Sequence, residues 1–338
     1  MKKKVQIIYC GGTIGMMHEH KKDALMPVNF TSITDHLPEL KRLNCRIDYQ
    51  ATREAIDSSN VQPENWEELA SIIEKKYGKY DGFVILHGTD TMSYTASALS
   101  FMLKNLAKPV IFTGSQLPLG TIRTDAKRNL ITAIEIASSR ESLPEVALYF
   151  ASRLFRGNRT EKFTSSKFGA FHSMNYPLLG EAGTEIVYDR KVIAAKPKGK
   201  FSVRYGFDNN VALVKIFPGI KPELIDAIAN TPKLRAIILE TFGSGNASSQ
   251  KVFLQSLSRA IGRGILIVNI SQCSGGAVEQ GKYETSAGLK RIGVISGEDM
   301  TTEAAVTKMM FLLGQGYGNK EIARAMTEPI AGEISRTT

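Results

Sequence analysis

Cysteine is scarce in this chain: three residues in 338, at Cys10, Cys45 and Cys273. They are odd in number, scattered, and nowhere in C-x-x-C spacing. This excludes a disulfide framework and a cysteine zinc site, and it fits a reducing cytosol. Long apolar runs are also missing. Nothing approaches the roughly 20 residues that cross a bilayer as a helix. Lys2-Lys3-Lys4 followed by Val5–Cys10 imitates a secretory leader. Its apolar part is too short and is broken by Gln6, so it reads as the first strand. Phosphate loops of the common kinds are absent as well. No G-x-x-x-x-G-K-[ST] occurs, and Gly11-Gly12-Thr13-Ile14-Gly15 does not have the G-x-G-x-x-G order. There is no fixed-period repeat and no low-complexity segment.

Acidic residues are in deficit, 33 against 43 basic ones, for a formal charge of +10. A basic surplus can signal nucleic acid or anionic lipid. Here it is spread along the chain. The densest piece runs from Asp189-Arg190-Lys191 to Lys196-Pro197-Lys198-Gly199-Lys200. It has no interleaved aromatics and no helical period, so it reads as a solvated connector. Neither nucleic acid nor a membrane is expected as a partner.

What is present is ordinary globular composition, 43% hydrophobic and 22% charged, in a chain long enough for two domains. Strand-like runs at Val5–Tyr9, Gly82–Leu86, Pro109–Thr113 and Val146–Phe150 alternate with helical stretches at Pro63–Tyr77, Thr91–Leu106 and Arg123–Ser138. This is the rhythm of a parallel sheet with helices on its faces. A second such unit follows. Its strands are Val211–Phe217, Ala236–Leu239 and Ile265–Ile270, and its helices are Glu223–Ala229, Gln250–Gly262, Thr301–Leu313 and Asn319–Met326. The expectation is an α/β protein with two α/β domains. A larger N-terminal parallel-sheet domain spans 1–188, a linker 189–209 and a smaller C-terminal α/β domain 210–338.

Two segments stand out, Gly11–Gly15 and His87-Gly88-Thr89-Asp90-Thr91-Met92. Each follows a strand-like run and puts a threonine, Thr13 or Thr89, at the strand's exit. In an open α/β sheet that exit is where ligands bind. Taken alone, the glycine pair is usually a tight turn. Thr and Asp at a helix start can be caps, yet a cap does not call for His, Gly, Thr, Asp and Thr in a row.

The two segments resemble the two signatures of the bacterial L-asparaginase/glutaminase family. Gly82–Met92 matches the second throughout. Gly11–Gly15 matches the first, with Cys10 where threonine is usual. The resemblance extends to Asp57-Ser58-Ser59, Thr113-Gly114-Ser115-Gln116, Arg156-Gly157-Asn158-Arg159-Thr160, Lys162, Phe242-Gly243-Ser244-Gly245-Asn246 and Gln272-Cys273. With Met1 about a strand's length from the first motif and no leader before it, the chain looks like the cytoplasmic, type I branch. The resemblance implies a hydrolase that splits L-asparagine into L-aspartate and ammonia through a threonine-linked acyl-enzyme. It implies Thr13 as nucleophile, with Thr89, Asp90 and Lys162 as the second catalytic group. It also implies that Asp57, Ser58 and Ser59 hold the substrate and that Gln116 lines the pocket. The resemblance implies no metal and no organic cofactor, and it implies a homotetramer, a dimer of dimers. His87 is compatible with a structural hydrogen bond and is not assigned to catalysis.

Three departures from the family bear on function. The flap stretch His18–Pro27 has no tyrosine, and Leu25 stands where the family has one. Glu240, with Glu161 beside Lys162, stands where some type I members hold an asparagine effector with arginine, so effector activation is not expected. Asn60 replaces a common aspartate. Two other activities compete with asparagine hydrolysis: cleavage of another amide such as glutamine, alone or within a transamidation complex, and ligand binding without catalysis.

Overall fold

The computed structural model describes residues 2–19, 24–27, 37–281 and 284–335. They divide into two units. The first holds residues 1–173 and 177–204, the second 174–176 and 205–338.

The first unit is built on an eight-stranded sheet. Its strands are β1 (Lys3–Tyr9), β2 (Cys45–Ala51), β3 (Gly82–Leu86), β4 (Val110–Thr113), β5 (Val146–Phe150), β6 (Arg153–Arg156), β7 (Gly180–Ala182) and β8 (Ile186–Tyr188). Their spatial order is β8-β7-β6-β5-β4-β3-β1-β2. The run from β2 to β5 is parallel, and β6, β7 and β8 are added antiparallel. The centre is continuously apolar, as a sheet covered on both faces requires. Phe83, Val84, Ile85 and Leu86 of β3 are all fully buried, each stabilising the fold by about 1.5–3 kcal/mol relative to exposure.

Helix α1 (Pro63–Lys76) begins with Pro63 at its first position, where a missing N–H leaves no bond unmade. Helix α2 (Met92–Met102) follows β3, and α3 (Ala126–Ser138) lies between β4 and β5. The α2 pattern expected over Thr91–Leu106 stops at Met102. Leu103–Lys104 instead pairs with Ser202–Val203, and Asn105 takes a left-handed φ of 53°. The pairing uses the backbone groups that a longer helix would have claimed.

The basic segment after β8 lies within this unit. A buried Arg156–Glu145 ion pair at 2.6 Å anchors it. Glu145 accepts from the Ala194 N–H at 2.8 Å and Arg156 donates to the Val192 carbonyl at 3.0 Å. Phe201 stacks on Tyr77 with ring centres 3.6 Å apart.

The second unit has four parallel strands in sequential order, β9 (Val211–Lys215), β10 (Ala236–Thr241), β11 (Leu266–Ser271) and β12 (Ile295–Ser296). Helices α4 (Pro222–Ala229), α5 (Lys251–Gly262), α6 (Glu284–Arg291), α7 (Thr302–Gly314) and α8 (Asn319–Thr327) complete it. Its core gathers Val214, Ile225, Leu239, Phe253, Leu257 and Ile267. The three residues Met174–Tyr176 belong here although their chain neighbours do not. The Asn175 amide donates to the Gly276 and Asp299 carbonyls at 2.9 and 3.0 Å and accepts from the Gly276 N–H at 2.8 Å. Among the described residues, no helix is long and apolar enough to cross a membrane.

Candidate active site

In the order β2-β1-β3-β4, the chain runs from β1 to one side and then returns to build on the other. The carboxyl ends of β1 and β3 therefore flank the point where strand order reverses, the favoured ligand position in such sheets. The two motifs leave the sheet there.

Beyond β1, the Cys10 N–H and thiol both donate to the Leu86 carbonyl, at 3.1 and 2.9 Å. Burial pushes the Cys10 thiol well above its ordinary range, so it is a packing group and no nucleophile. Gly12 has φ +87°, and a Cβ there would fall inside the Gly88 backbone. The glycine thus brings the first motif directly against the second. Thr13 then opens a tight turn over Thr13–Gly15, closed by the Gly15 N–H on the Gly12 carbonyl at 3.2 Å. Its side chain is half-buried.

A third loop packs on the same spot. A Cβ on Gly88 would lie 2.5 Å from Ser58 Oγ, and the Thr91 hydroxyl donates to the Ser58 carbonyl at 2.7 Å. Asp57 accepts from the Ser59 N–H at 2.8 Å, which holds its carboxyl below the usual range. Ser58 is buried, whereas Asp57, Ser59 and Asn60 are exposed. The Asn60 N–H closes this turn on the Asp57 carbonyl at 2.9 Å.

Lys162 comes from a short hairpin, Glu161–Lys162 paired with Phe171–His172. Buried Thr160 roots it by donating to the Gly157 carbonyl at 2.8 Å. The ammonium of Lys162 donates to Thr89 Oγ1 at 2.7 Å and to Asp90 Oδ1 at 2.6 Å. The lysine side chain is 16% exposed and that of Asp90 59%. An ion pair with so open a carboxylate adds little stability. Its importance is positional, because one nitrogen is fixed between a hydroxyl and a carboxylate. Gln116, after β4, places Oε1 3.4 Å from Thr89 Oγ1.

Thr89, Asp90, Lys162 and Gln116 are thus in direct contact. Thr13 reaches them through the Gly12–Gly88 backbone contact, and Ser58 through Gly88. The side chains of the His18–Pro27 stretch, Leu25 included, lie outside the described part. In the second unit, Glu240 accepts from the Thr302 hydroxyl at 2.6 Å and lies 3.6 Å from Lys215 Nζ.

These observations coincide with two family matches. Residues 4–194 match the family model for the asparaginase N-terminal region, and residues 210–326 that for the glutaminase/asparaginase C-terminal domain. The chain belongs to the asparaginase family. It is 42% identical to L-asparaginase 1 of Escherichia coli K12 over 99% of this chain and 98% of that protein. Its fold matches L-asparaginase I of Vibrio cholerae with a TM-score of 0.92 and 40% identity, covering 99% of this chain and 100% of that one. The thermostable L-asparaginase of Thermococcus kodakarensis matches with the same TM-score at 32% identity, again over 99% and 100%.

Sequence reasoning missed the supports of this asparaginase-family site. Buried Asp125 accepts from the N–H groups of Gln116 and Leu117, each at 3.1 Å. Asn129 donates to Asp125 at 3.1 Å and to the Gly114 carbonyl at 2.9 Å. The spacing of Asp125 and Asn129 at a helix start is the one available signal, and it reads first as an ordinary cap.

His87 is buried with both ring nitrogens engaged. Nδ1 lies 2.7 Å from the Gly88 carbonyl and Nε2 2.9 Å from Thr95 Oγ1, which also accepts from Trp66 Nε1 at 3.1 Å. Burial pushes its pKa down to about 4, against the pull of the Gly88 carbonyl. Above pH 6.5 the ring is neutral in both folded and unfolded chains. Below that, the unfolded chain binds a proton that the folded one refuses, so acidification favours unfolding until the folded ring titrates near 4. We expect about 3 kcal/mol of stability to be lost from this group between those values. Urea unfolding at pH 7 and pH 4.5 should show a smaller difference in His87→Gln than in the unaltered protein. An equal difference in both would remove His87 as the source.

Proposed function

We propose that this chain hydrolyses L-asparagine to L-aspartate and ammonia. The observation that carries the reading is the Lys162 ammonium held between Thr89 and Asp90, where the motif bearing Thr13 packs on Gly88.

A threonine hydroxyl attacks an amide only if its proton is removed. In this reading Thr13 Oγ1 attacks the side-chain amide carbon and the substrate nitrogen leaves with a proton as ammonia. The resulting β-aspartyl ester is then opened by water, which restores the Thr13 hydroxyl. Thr89, Lys162 and Asp90 form the proton-handling group on the substrate's other side, and the Thr89 N–H is the oxyanion donor. The Asp57–Ser59 turn receives the α-carboxylate through Ser58 and Ser59. These steps use only protein groups and water. The protein works in the cytosol as a homotetramer.

The test is ammonia release by the purified protein supplied with asparagine and, separately, glutamine. The expected outcome is a clear preference for asparagine with a hyperbolic rate curve. Glu240 offers an effector's carboxylate no donor and has the same sign of charge. Preference for glutamine would replace the substrate assignment. Binding of asparagine without ammonia release would make the chain a ligand-binding protein. A Hill coefficient clearly above one, lost on changing Glu240, would overturn the regulatory expectation.

A further inference from the structure

Thr89 Oγ1 receives a hydrogen bond from Lys162 Nζ at 2.7 Å. An ammonium only donates, so the hydroxyl's own hydrogen must point elsewhere. The acceptor that the structure gives it is Gln116 Oε1, at 3.4 Å. An amide's oxygen and nitrogen are easily interchanged, but here the partners decide. The Gln116 Nε2 group donates to the Ser165 and Lys167 carbonyls, at 3.1 and 3.0 Å. Both nitrogen hydrogens are therefore used and the oxygen is left facing Thr89. The backbone of Gln116 is fixed in turn, its N–H meeting both oxygens of buried Asp125 at 3.1 Å.

Ser165 and Lys167 sit between the two arms of the hairpin that carries Lys162. One amide thereby touches both the hydroxyl and the hairpin delivering the lysine to it. We infer that Gln116 is a positioning residue: it directs the Thr89 O–H away from Lys162, so that an Oγ1 lone pair faces the lysine, and it holds the lysine hairpin in register with Thr89. This rests on the proposed amide hydrolysis and assigns Gln116 a role through Thr89 in place of substrate contact. A group whose amide is spent on the protein has no donor left for substrate.

The experiment compares Gln116→Met with Gln116→Glu, in the unaltered chain and in Thr89→Val. Methionine keeps the length and removes every polar contact. Glutamate keeps an oxygen toward Thr89 and loses both donations to the hairpin. In the unaltered chain we expect kcat for asparagine to fall about 10- to 100-fold in Gln116→Met, the scale of a small misplacement of reacting groups, with KM changed less than about threefold. Gln116→Glu should also lose activity, because its second carboxylate oxygen faces the Ser165 and Lys167 carbonyls and repels the hairpin. In Thr89→Val, Gln116→Met should cost less than it does in the unaltered chain, because the hydrogen bond the two residues share is already gone and only the hairpin contacts remain to be lost. An unaltered kcat in either variant, a loss carried by KM, or losses that multiply in full in the double variant would each overturn the inference. Absence of ammonia release from the unaltered protein removes the hydrolysis reading and this inference with it. Hydrolysis indifferent to Gln116 removes the inference alone.

Discussion

Thr13→Ala is expected to lower kcat for asparagine by about 10³-fold or more, the scale of losing a nucleophile whose partners remain. Thr13 stands half-buried on a turn fixed from both sides, by the Gly12 contact with Gly88 and by the Gly15 N–H on Gly12. Removing its Oγ1 leaves that backbone intact, so folding and aspartate binding should persist. Thr89→Val should lose a comparable factor. It deletes one hydroxyl at nearly constant volume and leaves Lys162 without its 2.7 Å acceptor. Purified variants are compared by steady-state ammonia release, with thermal unfolding as the control for folding. Near-normal hydrolysis in either variant would dismiss that threonine from the chemistry.

Lys162 gives the second large effect. Its single nitrogen serves Thr89 and Asp90 at 2.7 and 2.6 Å. A positive charge alone could be supplied by arginine, but a guanidinium does not deprotonate and spreads its donors over a planar fork. If the lysine transfers protons, Lys162→Arg should fail almost as badly as Lys162→Met, each losing about 10²–10⁴-fold in kcat. Recovery of most activity by arginine would reduce Lys162 to electrostatics or architecture.

The parts of the fold legible in the sequence are those where burial is two-sided. The β3 run Gly82–Leu86 is buried throughout, and an uninterrupted apolar stretch shows that directly. Strand β2, Cys45–Ala51, lacks that signal because it is an edge strand, mostly half-exposed, with Arg46, Asp48 and Gln50 diluting its pattern. The turn from β5 to β6 is silent in the sequence for another reason. Ala151 and Ser152 both take left-handed φ values, 48° and 72°, where glycine or asparagine usually announces a two-residue hairpin. In the site, strand exits mark the segments that carry Thr13 and Thr89, although the glycine pair alone reads as a tight turn. No such signal marks Lys162: it lies 73 residues from Thr89 in sequence, and Thr160-Glu161-Lys162 has the composition of any surface turn. Only family resemblance singled it out. Gln116 was legible as a residue near the sheet edge, but its partners at positions 165 and 167 arise from the hairpin's path, which no local pattern encodes.

The brief passage of Met174–Tyr176 into the second unit has a consequence for recombination. A chimaera that exchanges the C-terminal part at one junction near position 205 would keep Asn175 from one parent and take positions 276 and 299 from the other. Three hydrogen bonds of the Asn175 amide would then cross the parental boundary. Exchanging the second unit intact requires three junctions, at 173/174, 176/177 and 204/205. A fragment begun at Tyr205 encodes that unit with its Asn175 clasp missing.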